Sequence, residues 1–229
     1  THRVAIQFSG TFRGTGSNTA DGVTVAAPVP LKKAANITYD FIPATGLAVT
    51  SANAQREVVA VANCNECHTT LKGFHGDARN DPRFCVVCHT DQRKYGYKEA
   101  VKTPTGYDPN DIACVTTMGQ RKIDGAAVGD FPRMVHKIHM GTELTKTGYN
   151  YANVLFNDIG YSMLGGGQKM CLKCHKNAPQ STNWKEKPSI IACGTCHDNV
   201  NFATSANHLA NKPTTDFMCV VCHEAADIT

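Results

Sequence analysis

The chain is short of the materials from which protein cores are usually built. Aromatic residues make up 7% of its 229 residues, with a single tryptophan, and apolar residues reach only 41%. Such a composition sits at the low end for a globular chain, so its side chains alone would make a thin core. Long hydrophobic runs are also missing, and no stretch approaches the roughly 20 apolar residues of a membrane-spanning helix. Thr1 does not open a signal peptide. The first 56 residues contain no cysteine. Gly165-Gly166-Gly167 lacks a following Lys-Ser/Thr, which excludes a phosphate cradle and leaves a flexible loop.

Cysteine is the exception to this scarcity. Ten of the 11 cysteines fall into five Cys-x-x-Cys-His motifs. These are Cys64-Asn65-Glu66-Cys67-His68, Cys85-Val86-Val87-Cys88-His89, Cys171-Leu172-Lys173-Cys174-His175, Cys193-Gly194-Thr195-Cys196-His197 and Cys219-Val220-Val221-Cys222-His223. Two thiols three positions apart can each add across one vinyl group of a haem, and the adjacent imidazole then lies beneath the iron. Cys64/Cys67 and Cys85/Cys88 alone would suit a four-thiolate zinc ribbon. Zinc does not require a histidine after each pair, and five such histidines by chance have odds on the order of 10⁻⁷. Disulfides or thioredoxin-like pairs leave the histidines equally unexplained. The motifs therefore call for five haems c. Five porphyrin discs would supply the apolar bulk that the side chains lack.

The formal charge of +4 reverses meaning once haem is counted. Each ferric bis-imidazole haem with two ionised propionates contributes about −1, which brings the loaded chain near −1. A nucleic-acid partner is not expected, and scattered Lys and Arg read as propionate partners or solvated surface. Haem c is attached outside the cytoplasm, so a secretion signal is expected in a precursor. Any membrane association would come from an upstream lipid anchor or a partner.

Two regions are expected. In residues 1–56, Val4, Ile6 and Phe8, and again Ile37, Tyr39 and Phe41, alternate with polar or small residues, with Gly and Pro as punctuation. This segment reads as a few antiparallel strands, the remnant of a β-domain. Residues 57–229 read as a pentahaem domain of mainly irregular and α structure, low in secondary structure and wrapped around five haems. Arg56 to Ala62 is expected to lead into the first motif as a short helix. Motif starts are 21, 86, 22 and 26 residues apart, so a long excursion separates two haems from three. That excursion holds Gly- and Pro-bearing loops and one helix candidate, Pro132 to Met140, with Pro132 in its first turn.

The second axial ligand decides between electron transfer and catalysis. Beyond the proximal His68, His89, His175, His197 and His223, five histidines remain: His2, His75, His136, His139 and His208. Five irons and five spare imidazoles match in number. His136 and His139 share one side of the helix candidate and would reach two neighbouring haems. His75 lies close to the first haem pair and His208 inside the last cluster. His2 is the weakest member, since termini fray. The alternatives to it are a missing segment, a neighbouring subunit, or Met118, Met163 or Met218.

Arg56 to Val59 entering the first motif, Phe84 to His89 followed by Thr90 to Gly96, Met134 to Met140, and Asn201 to Thr204 followed by His208 carry a resemblance. Over roughly residues 35–229 the chain resembles the outer-membrane decahaem cytochromes of metal-reducing bacteria, the OmcA/MtrC type, and in particular one pentahaem half of such a protein. The resemblance implies a cell-surface protein that passes electrons by outer-sphere transfer to metal oxides, flavins and soluble metal complexes. It further implies partners among other multihaem cytochromes or an outer-membrane conduit. It also implies that His75, His136, His139 and His208 are distal ligands; His2 lies outside the matched stretch. Two departures stand out. Five motifs are half the family's usual number, and Cys114 lacks the disulfide partner that the family's extra cysteines tend to have, so it reads as a buried thiol or one bonded to a group outside this sequence. Thr103-Pro104-Thr105 resembles hydroxyl-rich motifs proposed for mineral contact, and equally a simple Pro turn. A nitrite or hydroxylamine reductase with one open haem competes with electron transfer, whereas a conducting filament in which His2 ligates a neighbour's haem would combine with it.

Overall fold

A computed structural model describes residues 1–12, 29–49, 57–72, 75–90, 98–112, 122–151, 154–156, 171–208 and 215–224. Cys114, Met118, Met163, Gly165 to Gly167 and the stretch 91–96 lie outside them. Regular structure is sparse: short helices and short antiparallel strand pairs joined by turns. No helix among the described residues is long and apolar enough to cross a membrane.

The N-terminal alternation does produce strands. β1 (His2–Phe8) pairs antiparallel with β4 (Ala35–Phe41), from His2 opposite Phe41 to Phe8 opposite Ala35. A two-residue pair, β2 (Thr11–Phe12) with β3 (Val29–Pro30), extends it. The faces are inverted relative to a usual half-buried sheet. Val4, Ile6, Phe8, Ile37 and Tyr39 are each 45–50% exposed. The polar face packs inward, onto α2 (Pro82–Cys88) and the turn before it. Arg3 Nε and Nη2 donate to the Asp40 carboxylate at 2.6 and 2.8 Å, and Nη1 donates to the Arg83 carbonyl at 3.1 Å. Asn36 Nδ2 donates to the Ala78 carbonyl at 2.9 Å, and its Oδ1 accepts from the Asn80 amide at 2.7 Å. The strand pair is thus held to the rest by charge-assisted and amide hydrogen bonds.

The approach to the first motif differs from expectation. Glu57 to Ala60 is not helical, and α1 spans Val61–His68. Ala60 is extended (φ −80°, ψ 141°), and the β-branched pair Val58-Val59 disfavours a helix start before it. α2 is better signalled: Asp81 caps it by accepting the Arg83 amide at 2.8 Å, and Pro82 occupies its first turn.

The excursion between the second and third motifs carries more structure than its loops and single helix candidate promised. It contains the hairpins β5 (Lys102–Thr103)/β6 (Gly106–Tyr107), β7 (Lys122–Ile123)/β8 (Ala126–Ala127) and β9 (Asn150–Tyr151)/β10 (Val154–Leu155). A single turn, α3 (Pro109–Ile112), follows β6, and α4 (Phe131–Met140) follows β8. Pro104-Thr105 makes the first hairpin turn, the plainer of the two readings of that tripeptide. Asp124-Gly125, both at positive φ, makes the second. Asp-Gly between short runs is a strong hairpin signal that was there to be read. α4 begins one residue before the expected Pro132, behind Asp130, and stops at Gly141 (φ 49°), whose amide donates to the Lys137 carbonyl.

These elements enclose the main apolar cluster: Ala100, Tyr107, Ile123, Val128, Met140, Leu144, Tyr149 and Phe156. The motif cysteines lie at its margin or outside it, intermediate or exposed.

Arg3 holds the Asp40 carboxyl below the usual carboxylate range, chiefly through their hydrogen bond. A depressed folded pKa contributes stability that is fully present above the unfolded value and is lost as pH falls through the folded one. Hydrogen exchange in β1 and β4 should therefore accelerate in acid. Arg3→Ala should remove that acid step and cost the strand pair about 1–2 kcal/mol at neutral pH; an unchanged acid step in the variant would count against the ion pair.

Candidate functional site

The Cys-x-x-Cys-His motifs adopt a shared local form. Four helices carry the later motifs: α2, α5 (Cys171–Cys174), α7 (Ile190–Cys196) and α8 (Phe217–Cys222), with the single turn α6 (Asn183–Glu186) lying between α5 and α7. Each of the four ends on the second cysteine. The amide of the next histidine closes the turn by donating to the carbonyl of the first cysteine, at 3.0 Å for His89, 2.8 Å for His175, 2.9 Å for His197 and 2.8 Å for His223. One helical turn places residues i and i+3 on one face, so both thiols point the same way with the imidazole just beyond. In α1 the helix includes His68 itself.

Burial raises the thiol pKa values at Cys64, Cys171, Cys193 and Cys219, and pushes Cys85 and Cys196 up to about 11. Among the described residues no group of three or more metal-ligating side chains converges.

The spare histidines divide four against one. Ring centroids lie 6.2 Å apart for His68 and His139, 6.2 Å for His75 and His89, 6.1 Å for His136 and His175, and 6.3 Å for His208 and His223. Each pair joins one motif histidine to one histidine from elsewhere. An imidazole nitrogen about 2 Å from a metal puts its ring centroid about 3 Å away, so two rings on opposite sides of one metal are separated by about 6 Å. The gaps therefore fit a single iron between each pair. His136 and His139 lie opposite histidines of two different motifs. His208 faces the fifth motif.

Among the described residues, no histidine ring faces His197 of the fourth motif. His2 is exposed and lies 6.1 Å from the Phe41 ring on the outer face of β1. Met218, the one described methionine alternative, is 37% exposed at the start of α8.

The chain also prepares the ring nitrogens. Nδ1 of His89 lies 3.1 Å from the Gly129 carbonyl, and Nδ1 of His139 lies 2.7 Å from the Val135 carbonyl. A carbonyl only accepts, so Nδ1 carries the proton and Nε2 keeps its lone pair for a metal. Burial, with His175 nearby, pushes His136 down to about 4, and burial also lowers His75 and His175. All favour the neutral imidazole that ligates. The scarce aromatics gather here as well. Tyr151 lies 5.7 Å from His89, Trp184 lies 6.1 Å from His175 and Phe202 lies 5.9 Å from His208. Phe202 also explains Gly194 in the fourth motif, because a Cβ there would sit 3.0 Å from its ring.

Motifs distant in sequence are tied together by side chains that motif reading passed over. Asn63, 3% exposed, donates from Nδ2 to the carbonyls of Cys174 and Lys176 at 2.7 and 2.6 Å, binding the first motif to the third. Glu66 and Lys173, both filler positions within motifs, form an ion pair at 3.0 Å, with Lys176 on the same carboxylate. On an exposed surface that pair contributes little.

Paired thiols on single helical turns, each followed by an imidazole and four of them facing a second imidazole at iron-spanning distance, define a multihaem c-type cytochrome. The chain belongs to the outer membrane cytochrome MtrC/MtrF-like family, as domains II/IV, whose sequence model matches residues 56–229. Among solved structures it is similar to MtrC from Shewanella baltica OS185, at 26% identity and a TM-score of 0.54, over 99% of this chain and 26% of that one. It is also similar in fold to the outer membrane decaheme cytochrome OmcA, at 23% identity and a TM-score of 0.52, over 83% of this chain and 25% of that one. The chain therefore spans about a quarter of either protein. Comparison with curated protein sequences finds no match.

Asn63→Ala should destabilise the haem-loaded protein by about 2–3 kcal/mol, because two half-buried carbonyls lose a shared donor. Thermal unfolding of the loaded variant measures this. A loss under about 0.5 kcal/mol would show that the tie between the first and third motifs is not needed.

Proposed function

We propose that residues 57–229 form a pentahaem electron-transfer domain. The ten motif cysteines attach five haems c, and the chain wraps the cofactors in place of a conventional core. The carrying observation is the four imidazole pairs at 6.1–6.3 Å. His68 with His139, His89 with His75, His175 with His136 and His223 with His208 would hold four irons from both sides. When bound, haem supplies a reversible one-electron iron couple, and two strong-field imidazoles close the iron to substrates. The Gly129 and Val135 carbonyls fix the tautomers of His89 and His139, while Tyr151, Trp184 and Phe202 shield the ligand rings from water.

Family membership supports a site of action at the outer membrane, facing the cell exterior. Metal oxides, flavins or soluble metal complexes would be the acceptors, and another multihaem cytochrome or an outer-membrane conduit the donor. Reduction of such acceptors needs outer-sphere transfer only. Residues 1–56 would form a separate β-strand segment. A second reading has one specific support. His197 faces no described histidine, and an open iron there would suit a reductase of nitrite or hydroxylamine.

Intact mass and the low-temperature spectrum test the proposal together. Five haems add about 3 kDa to the polypeptide, and the spectrum should be dominated by low-spin iron. A mass without that increment sinks the proposal. Rapid cyanide or nitric oxide binding by one iron of the unaltered protein would favour the reductase reading. His139→Ala should convert about one fifth of the iron from low spin to high spin and leave the mass increment intact; an unchanged spectrum would remove His139 from the ligand set.

A further inference from the structure

Lys137 occupies α4 between His136 and His139, buried from solvent and in no direct ion pair, though the charges of Asp198 and Asp124 act on it from further off. It is 1% exposed. Its Nζ donates to the Thr195 carbonyl at 3.1 Å and lies 3.7 Å from the centroid of the Tyr149 ring. Thr195 is fully buried between Cys193 and Cys196 of the fourth motif, and its hydroxyl donates to the Ile191 carbonyl at 2.7 Å. At the hydroxyl end of Tyr149 stands Asp198, the residue directly after His197 and itself 3% exposed. Its carboxylate accepts the Thr145 and Lys146 amides at 2.9 and 2.8 Å and the Tyr149 hydroxyl at 3.0 Å. The tyrosine thus presents its ring face to the ammonium and its hydroxyl to the carboxylate.

An ammonium enclosed with one carbonyl and one ring face is an expensive way to fill space, since methionine of similar length would pack there without a desolvation cost. A cation–π contact and one hydrogen bond offset only part of that cost. The retained charge lies against the backbone of the one motif whose histidine faces no described imidazole. Enclosure also keeps its field from being screened by water and salt.

We infer that Lys137 is a positioning residue of the fourth motif: it docks α4 onto α7 and raises the reduction potential of the haem held by Cys193, Cys196 and His197, with Asp198 acting in the opposite sense. The inference rests on the haem-binding reading above. Oxidised iron carries one more positive charge than reduced iron, so a fixed buried cation disfavours the oxidised form and a fixed buried anion favours it.

The test uses the full haem-loaded chain in an optical redox titration, with the fourth-motif component identified as the one altered by His197→Ala. Lys137→Met should move that component to lower potential, raising its oxidised-to-reduced ratio about tenfold at a fixed potential. Lys137→Arg, which keeps the charge, should leave it near its original position, and Asp198→Asn should move it upward. The inference is overturned if Lys137→Met leaves that component unmoved, or if Met and Arg shift it alike. Should Lys137→Met fail to load haem, Asp198→Asn decides, and no upward shift there overturns the inference. A chain without the haem mass increment would instead mark failure of the underlying reading.

Discussion

Two imidazoles facing each other across the width of one metal ion are the constraint around which this molecule is arranged. Each pair takes one ring from a Cys-x-x-Cys-His turn and one from a distant or neighbouring segment, and the two must meet within a fraction of an ångström. A helical turn delivers the first ring from local geometry alone. The second ring needs a scaffold. For His136 and His139 that scaffold is α4, anchored by the apolar cluster of the excursion through Met140 and the partly buried Met134 and Ile138. The protein's own core therefore lies beside the motifs, where it aims the second rings.

Polar contacts then join what the apolar cluster does not reach. Asn63 ties the first motif to the third, Asp198 gathers the 145–149 segment onto the end of the fourth, and Arg3 with Asp40 fastens the strand pair to the second. Buried or half-buried hydrogen bonds of this kind add modest stability when made and cost more when broken. They suit a structure whose spacing must be kept while its apolar content is low.

Much of the site was legible from spacing. Cys-x-x-Cys-His marks thiols and proximal rings without reference to the rest of the chain, because all three groups lie within one helical turn. Pro132 and the i,i+3 placement of His136 and His139 mark a helix serving two neighbours. The strands around Ile6 and Ile37 were legible from alternation, but the side they bury was not. Alternation says that two faces differ, and the inward face was chosen by Arg3 and Asn36 finding partners near α2, with Asp40 holding Arg3 in place. The first-motif helix starts at Val61, later than its approach suggests, because the β-branched Val58-Val59 pair disfavours an earlier start. Asn63 and Tyr151 left no local signal, since their roles exist only across gaps of 60 residues or more.

By itself the sequence determined the chemistry: ten thiols, five proximal imidazoles and five candidates to oppose them. The tertiary structure decided which ring faces which. It set His208 against the fifth motif, placed His2 on an outer strand face beside Phe41, and left His197 beside a buried lysine and aspartate with no histidine opposite it among the described residues. The physical reason is one of range. Thioether spacing is set within five consecutive residues, whereas a second axial ligand depends on packing between segments that no local pattern encodes.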